Sequence, residues 1–413
     1  MTSYLPRILD PELSDVLVAH PAVLIVGPRA CGKTTTARRH CRSLLRLDVP
    51  AQASVVRADP DAALRGLEEP VLIDEWQLAP EVLAAVKRAV DDDPRPGRFI
   101  LTGSSQADLT TSGWPATGRI VRLTMYPLVG RERYGDPAGA SLIDRILADG
   151  SDAFSDPIGS WDVPAYLDLA LASGWPEAVR APAGRARDRW LGGYVDHLVT
   201  REAAALGLDR DPVRLRRYLH AIAANTAGVP THKLLYDAAG IDRDSAVRYD
   251  DLLDLVMITQ RVPAWAGNLM DRAVRLPKRY LIDPGLVGSL LRIDRRAAMR
   301  DGNLLGRILD TLVAAQFRAE CALSIIGADL YHLRDANGRR EIDLLVETRD
   351  GNVIAAEIKA TSAPSPTDAR HLEWLHDRLG SRFVAGLVIH TGPRVFPLTD
   401  HVLAVPIAAL WAP

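Results

Sequence analysis

The chain has 413 residues, 47% hydrophobic and 25% charged, an ordinary globular mixture with length for about three domains. With 50 Lys and Arg against 52 Asp and Glu the formal net charge is −2, so no positive field covers the chain and any contact with nucleic acid has to be local. Three scattered cysteines, Cys31, Cys41 and Cys321, argue against a disulfide framework or a zinc site. No apolar run approaches the roughly 18 residues of a bilayer span. The start, Met1 to Pro6, lacks a signal-peptide core, so the expectation is a cytoplasmic protein without membrane contact.

The first strong element is the apolar run Ala22 to Val26, which reads as a buried strand. Behind it, Gly27-Pro28-Arg29-Ala30-Cys31-Gly32-Lys33-Thr34 fits G-x-x-x-x-G-K-[ST], and Thr35 follows. A loop with few Cβ atoms turns its backbone N–H groups onto phosphate oxygens, and the helix expected after it adds its positive N-terminal end. Residues 27–35 therefore form the expected cradle for ATP, with Lys33 reaching the β- and γ-phosphates and Thr34 a ligand of Mg²⁺. Amide dipoles around Cys31 raise the further expectation of a reactive thiol.

Pro70-Val71-Leu72-Ile73-Asp74-Glu75 is a short apolar strand ending in two carboxylates. Beside a phosphate loop these acids divide the work: Asp74 holds Mg²⁺ through water, and Glu75 orients or deprotonates the attacking water. A helix over 81–90 and a Pro/Gly connector lead to the strand 98–102 and then to Gly103-Ser104-Ser105-Gln106. Ser104 or Ser105 is a candidate γ-phosphate sensor, the alternative being a cap for the next helix. Gly118-Arg119 precedes the strand 120–123. Arg119 is a candidate to enter a neighbouring subunit's nucleotide site in a homo-oligomer, the alternative being an ordinary ion pair.

Residues 1–158 thus read as an α/β nucleotide-binding domain with a parallel sheet, and 159–295 as a mainly helical region. Within the latter, 231–241 and 242–255 read as two short helices around a glycine turn, with a core from Leu234, Leu235, Ala238, Ile241, Val247, Leu252 and Leu253. The second helix exposes Arg243 and Arg248, and 257–262 follows as a wing. DNA binding and protein packing are both open to such a unit.

A third composition, 296–413, opens with a helix over 303–318 and continues with strands 341–347 and 352–359 around Asp350-Gly351, then a strand over 383–389. Asp343, Glu357 and Lys359 lie on the paired strands. With Glu347 opposite Val353, Asp343 falls opposite Glu357 and the acids share a face; with a two-residue turn they do not. Converging carboxylates call for a cation, and hard oxygen ligands suit a second Mg²⁺ or Mn²⁺. Asp310 on the preceding helix is the nearest further acid, so Asp310, Asp343, Glu357 and Lys359 form a candidate nuclease site of the PD-(D/E)xK kind.

The phosphate loop, Leu72-Ile73-Asp74-Glu75, Ile100 to Ser105, Gly118-Arg119, Gly174-Trp175-Pro176-Glu177, Leu276 to Asp283, Glu341-Ile342-Asp343 and Glu357-Ile358-Lys359 together resemble a family of prokaryotic AAA-class ATPases with an uncharacterised C-terminal domain. The resemblance spans nearly the whole chain. It implies an AAA-type P-loop ATPase domain, a winged-helix-like middle and a restriction-endonuclease-like end. Two departures stand out: Asp310 where the family generally has Glu, and Cys31 where a small residue is usual. The leading expectation is ATP hydrolysis that drives or gates the attached domains, acting on DNA or other nucleic acid. The alternatives are an ATP-regulated, Mg²⁺- or Mn²⁺-dependent endonuclease and a non-cleaving, nucleotide-gated binding module.

Overall fold

In the computed structural model, Ala22–Val26 (β1), Ser43–Arg46 (β2), Val71–Asp74 (β3), Phe99–Thr102 (β4) and Ile120–Thr124 (β5) form a parallel sheet in the order β2-β3-β4-β1-β5. The inner strands β3, β4 and β1 are buried at every position, which is why their sequences are unbroken apolar runs rather than alternating ones. Leu24, Ile73 and Leu101 pack with Val82, Leu83 and Val86 of the helix Val82–Asp92. Parallel pairing brings the C-terminal ends of these strands to one edge, where Thr102 lies opposite both Ile25 and Asp74.

The structure describes residues 4–103, 118–202, 211–266, 275–335 and 339–412. Ser104 and Ser105, the sensor candidates, lie outside the described residues. The chain divides into two units: residues 1–127 with 255–257, and residues 128–254 with 258–413.

Residues 128–158, which the sequence suggests belong with the first domain, pack in the second unit. Gly130 N donates to Gln316 Oε1 at 2.6 Å, Leu142 N donates to Glu320 Oε2 at 2.8 Å, and Arg131 pairs with Glu320 at 3.1 Å. Gln316 and Glu320 lie on Gly302–Leu323, a 22-residue helix whose first turn is capped by Asp301 through the amides of Asn303 and Leu304. A local strand-and-helix rhythm carries no information about this long-range partner.

Helices Pro212–Ala224, His232–Ala239 and Arg243–Leu255 precede Thr259–Val262 (β6), which pairs antiparallel with Lys278–Leu281 (β7). Thr231 caps the second helix and Gly240, at φ 64°, ends it in the left-handed region. Leu235, Ala239, Ile241, Leu252 and Leu253 are buried, but Leu234, Ala238 and Val247 are exposed, a correction to the expected core. The i, i+4 pair Leu235 and Ala239 sets the inward face, and the residues just before each point away from it. Arg279 of β7 makes a fork-to-fork pair with Asp250 of the third helix, Nη1 to Oδ1 and Nη2 to Oδ2 both at 2.7 Å, while Tyr218 OH donates to Asp250 Oδ1 at 2.8 Å.

The last sheet has six strands: Ala328–Arg334 (β8), Glu341–Thr348 (β9), Val353–Ile358 (β10), Phe383–His390 (β11), Phe396–Pro397 (β12) and Val402–Pro406 (β13), in the order β12-β13-β11-β10-β9-β8. It is mixed, with β9 antiparallel and β11 parallel to β10. Strand β8 has no clean alternation in its sequence and was not expected. Among the described residues no helix is long and apolar enough to cross a membrane.

Both side chains of the Arg279–Asp250 pair are 5% exposed. Asp250→Ala leaves a buried guanidinium without its counter-ion and is expected to cost about 3–5 kcal/mol of unfolding free energy, measured by urea denaturation of the full chain; a loss within about 1 kcal/mol would show that water or a neighbour replaces the carboxylate.

Candidate functional site

The phosphate loop leaves β1 under tight steric constraint. A Cβ at Gly27 would lie 2.1 Å from the Met125 carbonyl oxygen, so only glycine fits there. Ala30 and Gly32 have φ of 60° and 110°, a local change of backbone hand of the kind found in anion-binding nests. The helix expected after it spans Lys33–Ala37, 5 residues. Lys33 lies over the loop, its Nζ donating to Gly27 O at 2.9 Å and Pro28 O at 3.0 Å. Cys31 is fully buried with its Sγ 3.7 Å from Met125 O, so the thiol faces the interior and the expected reactive cysteine is not presented to solvent.

Asp74 is the meeting point of three elements. Thr34 Oγ1 donates to its Oδ1 at 2.7 Å from the loop, and Thr102 Oγ1 donates to the same oxygen at 2.5 Å from β4. A hydroxyl and a carboxylate at this separation are hard oxygen donors of the type Mg²⁺ takes, so the residues fit a magnesium nucleotide. Glu75 follows in the left-handed region, φ 56°, a conformation that costs a non-glycine residue about 1–3 kcal/mol and clusters at functional sites. Its carboxylate accepts from Gln77 Nε2. Gly103 passes so close to this turn that a Cβ would sit 2.5 Å from Gln77 Oε1.

Sequence reasoning missed the segment before the sheet. Arg7, 3% exposed, donates to Cys31 O at 2.8 Å and Tyr126 O at 2.6 Å, and Tyr4 OH lies 2.9 Å from Thr36 Oγ1. These side chains brace the loop from outside the motif, and no local pattern announces them. Arg119 lies at the other end of the sheet: Ile120 pairs with Ala22, at the start of β1, while the loop leaves its far end. Arg119 Nε donates instead to Asp91 Oδ1 at 2.8 Å. The structure therefore does not bring Arg119 to the same chain's phosphate loop.

In the second unit, Val353 lies opposite Glu347 and Ala356 opposite Leu344. Of the two registers open to the sequence, this is the one whose continuation sets Asp343 against Glu357. Asp310 also reaches the cluster, through a residue that sequence reasoning missed: Lys278 Nζ donates to Asp310 Oδ2 at 2.6 Å and to Asp343 Oδ1 at 2.9 Å. Lys359 Nζ donates to Glu357 Oε2 at 3.0 Å. Burial pushes Asp310 up to about 7 against the pull of Lys278. Burial opposes the ammonium of Lys278, but Asp310 and then Asp343 outweigh it and hold it protonated well above the usual range. Burial, then the charge of Asp343, pushes Glu357 up to about 8. Lys278 already bonds both Asp310 and Asp343, so that pair does not fit a second Mg²⁺ or Mn²⁺, while Glu357 Oε1 is buried without a hydrogen-bond partner.

Three family models match the chain. Residues 19–134 match an AAA domain, 163–297 a domain of unknown function (DUF8612), and 305–410 another domain of unknown function (DUF4143). Uncharacterized protein Rv2008c of Mycobacterium tuberculosis and uncharacterized protein Mb2031c of Mycobacterium bovis are each 30% identical over 390 residues, which is 94% of this chain and 80% of theirs. The chain belongs to their family. Within it, the AAA domain makes this a P-loop ATPase family with domains of unknown function following in sequence, and supports ATP binding and hydrolysis as the general activity. A Walker-type ATPase of Pyrococcus abyssi, PABY2304, is similar at 18% identity and a TM-score of 0.41, over 69% of this chain and 94% of that one.

His332 on β8 is 1% exposed and its Nε2 lies 3.2 Å from Leu276 O. Burial lowers it from 6.5 to about 4, with Lys278 adding to the effect. The folded state thus binds fewer protons than the unfolded one between those values. Stability from this group is present above about pH 6.5 and is lost as pH falls toward 4, at up to about 1.4 kcal/mol per pH unit. Between pH 7 and 5 the wild type is expected to lose about 2 kcal/mol more than His332→Gln in urea titrations; parallel profiles would contradict the assignment.

Proposed function

We propose that this protein is a Mg²⁺-dependent ATPase whose nucleotide state drives or gates its second unit. The observation that carries the reading is the convergence of Thr34 and Thr102 on one oxygen of Asp74, beside a loop with Ala30 and Gly32 in the positive-φ region. Residues 27–35 bind the triphosphate, and Lys33 exchanges its bonds to the Gly27 and Pro28 carbonyls for β- and γ-phosphate oxygens. Thr34 and Asp74 hold Mg²⁺, which when bound neutralises charge on the transferring phosphoryl group. Glu75 orients and deprotonates the attacking water, and release from Gln77 frees its carboxylate for that role.

The partner we infer is nucleic acid. Support comes from three helices followed by an antiparallel hairpin, the arrangement of a winged-helix unit, with Arg243 exposed at the start of the third helix. Any contribution of Arg119 to hydrolysis requires a second copy of the chain and release from Asp91.

ATP turnover measured with and without DNA tests both parts. Lys33→Ala is expected to abolish nucleotide binding, and Glu75→Gln to keep ATP bound while lowering turnover about 10²–10⁴-fold. DNA is expected to raise the wild-type rate. Unchanged turnover in either variant would refute the assignment of the site, and a rate indifferent to DNA and RNA would refute the partner.

A further inference from the structure

The acid cluster of the second unit is closed by hydrogen bonds in a way its sequence pattern does not suggest. An ammonium has three donors, and Lys278 uses all three: Asp310 Oδ2 at 2.6 Å, Asp343 Oδ1 at 2.9 Å and the Asp343 carbonyl at 3.3 Å. The remaining oxygens of the two carboxylates are used as well. Tyr280 OH donates to Asp310 Oδ1 at 2.7 Å, and Ile358 N donates to Asp343 Oδ2 at 3.0 Å. Strand alternation explains the convergence, since Lys278 and Tyr280 are two apart on β7 and reach the same acid, while Arg279 between them turns to Asp250 on the other face. The third acid is only half engaged: Glu357 Oε2 accepts from Lys359 at 3.0 Å, while its buried Oε1 has no hydrogen-bond partner, His371 Nδ1 lying 3.6 Å away and bonding the Glu341 carbonyl at 2.8 Å.

We propose that the Lys278 ammonium takes the place of a divalent cation between Asp310 and Asp343, so that this cluster is a metal-independent ion lattice and the domain that carries it does not hydrolyse phosphodiesters. Neighbouring buried carboxylates need positive charge between them, and the chain supplies it from β7. A metal entering there would have to evict Lys278, which is 1% exposed, and strand its charge away from water. Every carboxylate oxygen of Asp310 and Asp343 already accepts a hydrogen bond from the protein. The inference reverses the nuclease alternative raised by the spacing of Asp343, Glu357 and Lys359. It is independent of the ATPase reading, because the cluster lies in the other unit and its test uses no nucleotide.

The test is Mn²⁺ binding to the full chain without nucleotide, followed by the electron paramagnetic resonance of free Mn²⁺. Asp74→Ala is the parent throughout, to remove the acid of the phosphate-loop site. With Lys278 in place, adding Asp343→Asn is expected to change neither Mn²⁺ binding nor the nicking of plasmid DNA in Mn²⁺. Lys278→Met, which keeps the length of the side chain and removes its charge, is expected to gain an Mn²⁺ site that Asp343→Asn abolishes. Mn²⁺ binding or nicking that depends on Asp343 while Lys278 is present overturns the proposal. So does a Lys278→Met protein that circular dichroism shows to be folded and that binds no Mn²⁺. The first comparison decides the matter even where Lys278→Met does not fold.

Discussion

One carboxylate oxygen organises the N-terminal unit. Asp74 Oδ1 receives the hydroxyls of Thr34 and Thr102, and so ties the phosphate loop, the acidic strand and the strand between them at a single atom. This is possible because β4 is inserted between β1 and β3 in a parallel sheet, which sets the C-terminal ends of all three side by side. Everything that distinguishes this edge follows from that placement: the loop, the acid we propose for the magnesium, and the turn that displaces Glu75 into the left-handed region. The core beneath is apolar at every inner-strand position, so the polar groups collect where the strands end.

The second unit uses a different device for a similar problem, the placement of charge away from water. Successive residues of β7 face opposite ways, and each finds an acid: Arg279 binds Asp250 among the helices, while Lys278 and Tyr280 bind Asp310 and Asp343 at the sheet. Buried ion pairs of this kind add little net stability over an apolar core, but removing one partner is costly, so they specify which elements stay together. The two-stranded β6-β7 ribbon thereby joins the helical region to the six-stranded sheet. Burial and lysine charge, rather than solvent, then set how the acids at that junction titrate.

Much of the first site could be read directly from residues 22–34 and 70–75, because a phosphate cradle is local: its glycines, lysine and hydroxyl are contiguous, and the acidic strand is a single apolar run. The register of β9 and β10 was legible as one of two alternatives, and only the turn around Asp350 and Gly351 chose between them. What stayed hidden depends on distant partners. Arg7 bracing Cys31, Gln316 and Glu320 drawing in residues 128–158, and Lys278 reaching two acids all join residues far apart in the chain. The exposed Leu234 and Val247 show a subtler failure, in which apolar character was legible but the face of a short helix was not.

The central claim is that Asp74 and Thr34 form the magnesium side of an ATP site. Calorimetric titration of ATP into the wild type and into Asp74→Ala, each with and without Mg²⁺, addresses it directly. The account predicts that Mg²⁺ tightens ATP binding to the wild type by about tenfold or more, equivalent to ~1.4 kcal/mol. It also predicts that this gain disappears in Asp74→Ala while metal-free affinity is kept. An equal Mg²⁺-dependent gain in both proteins would contradict it.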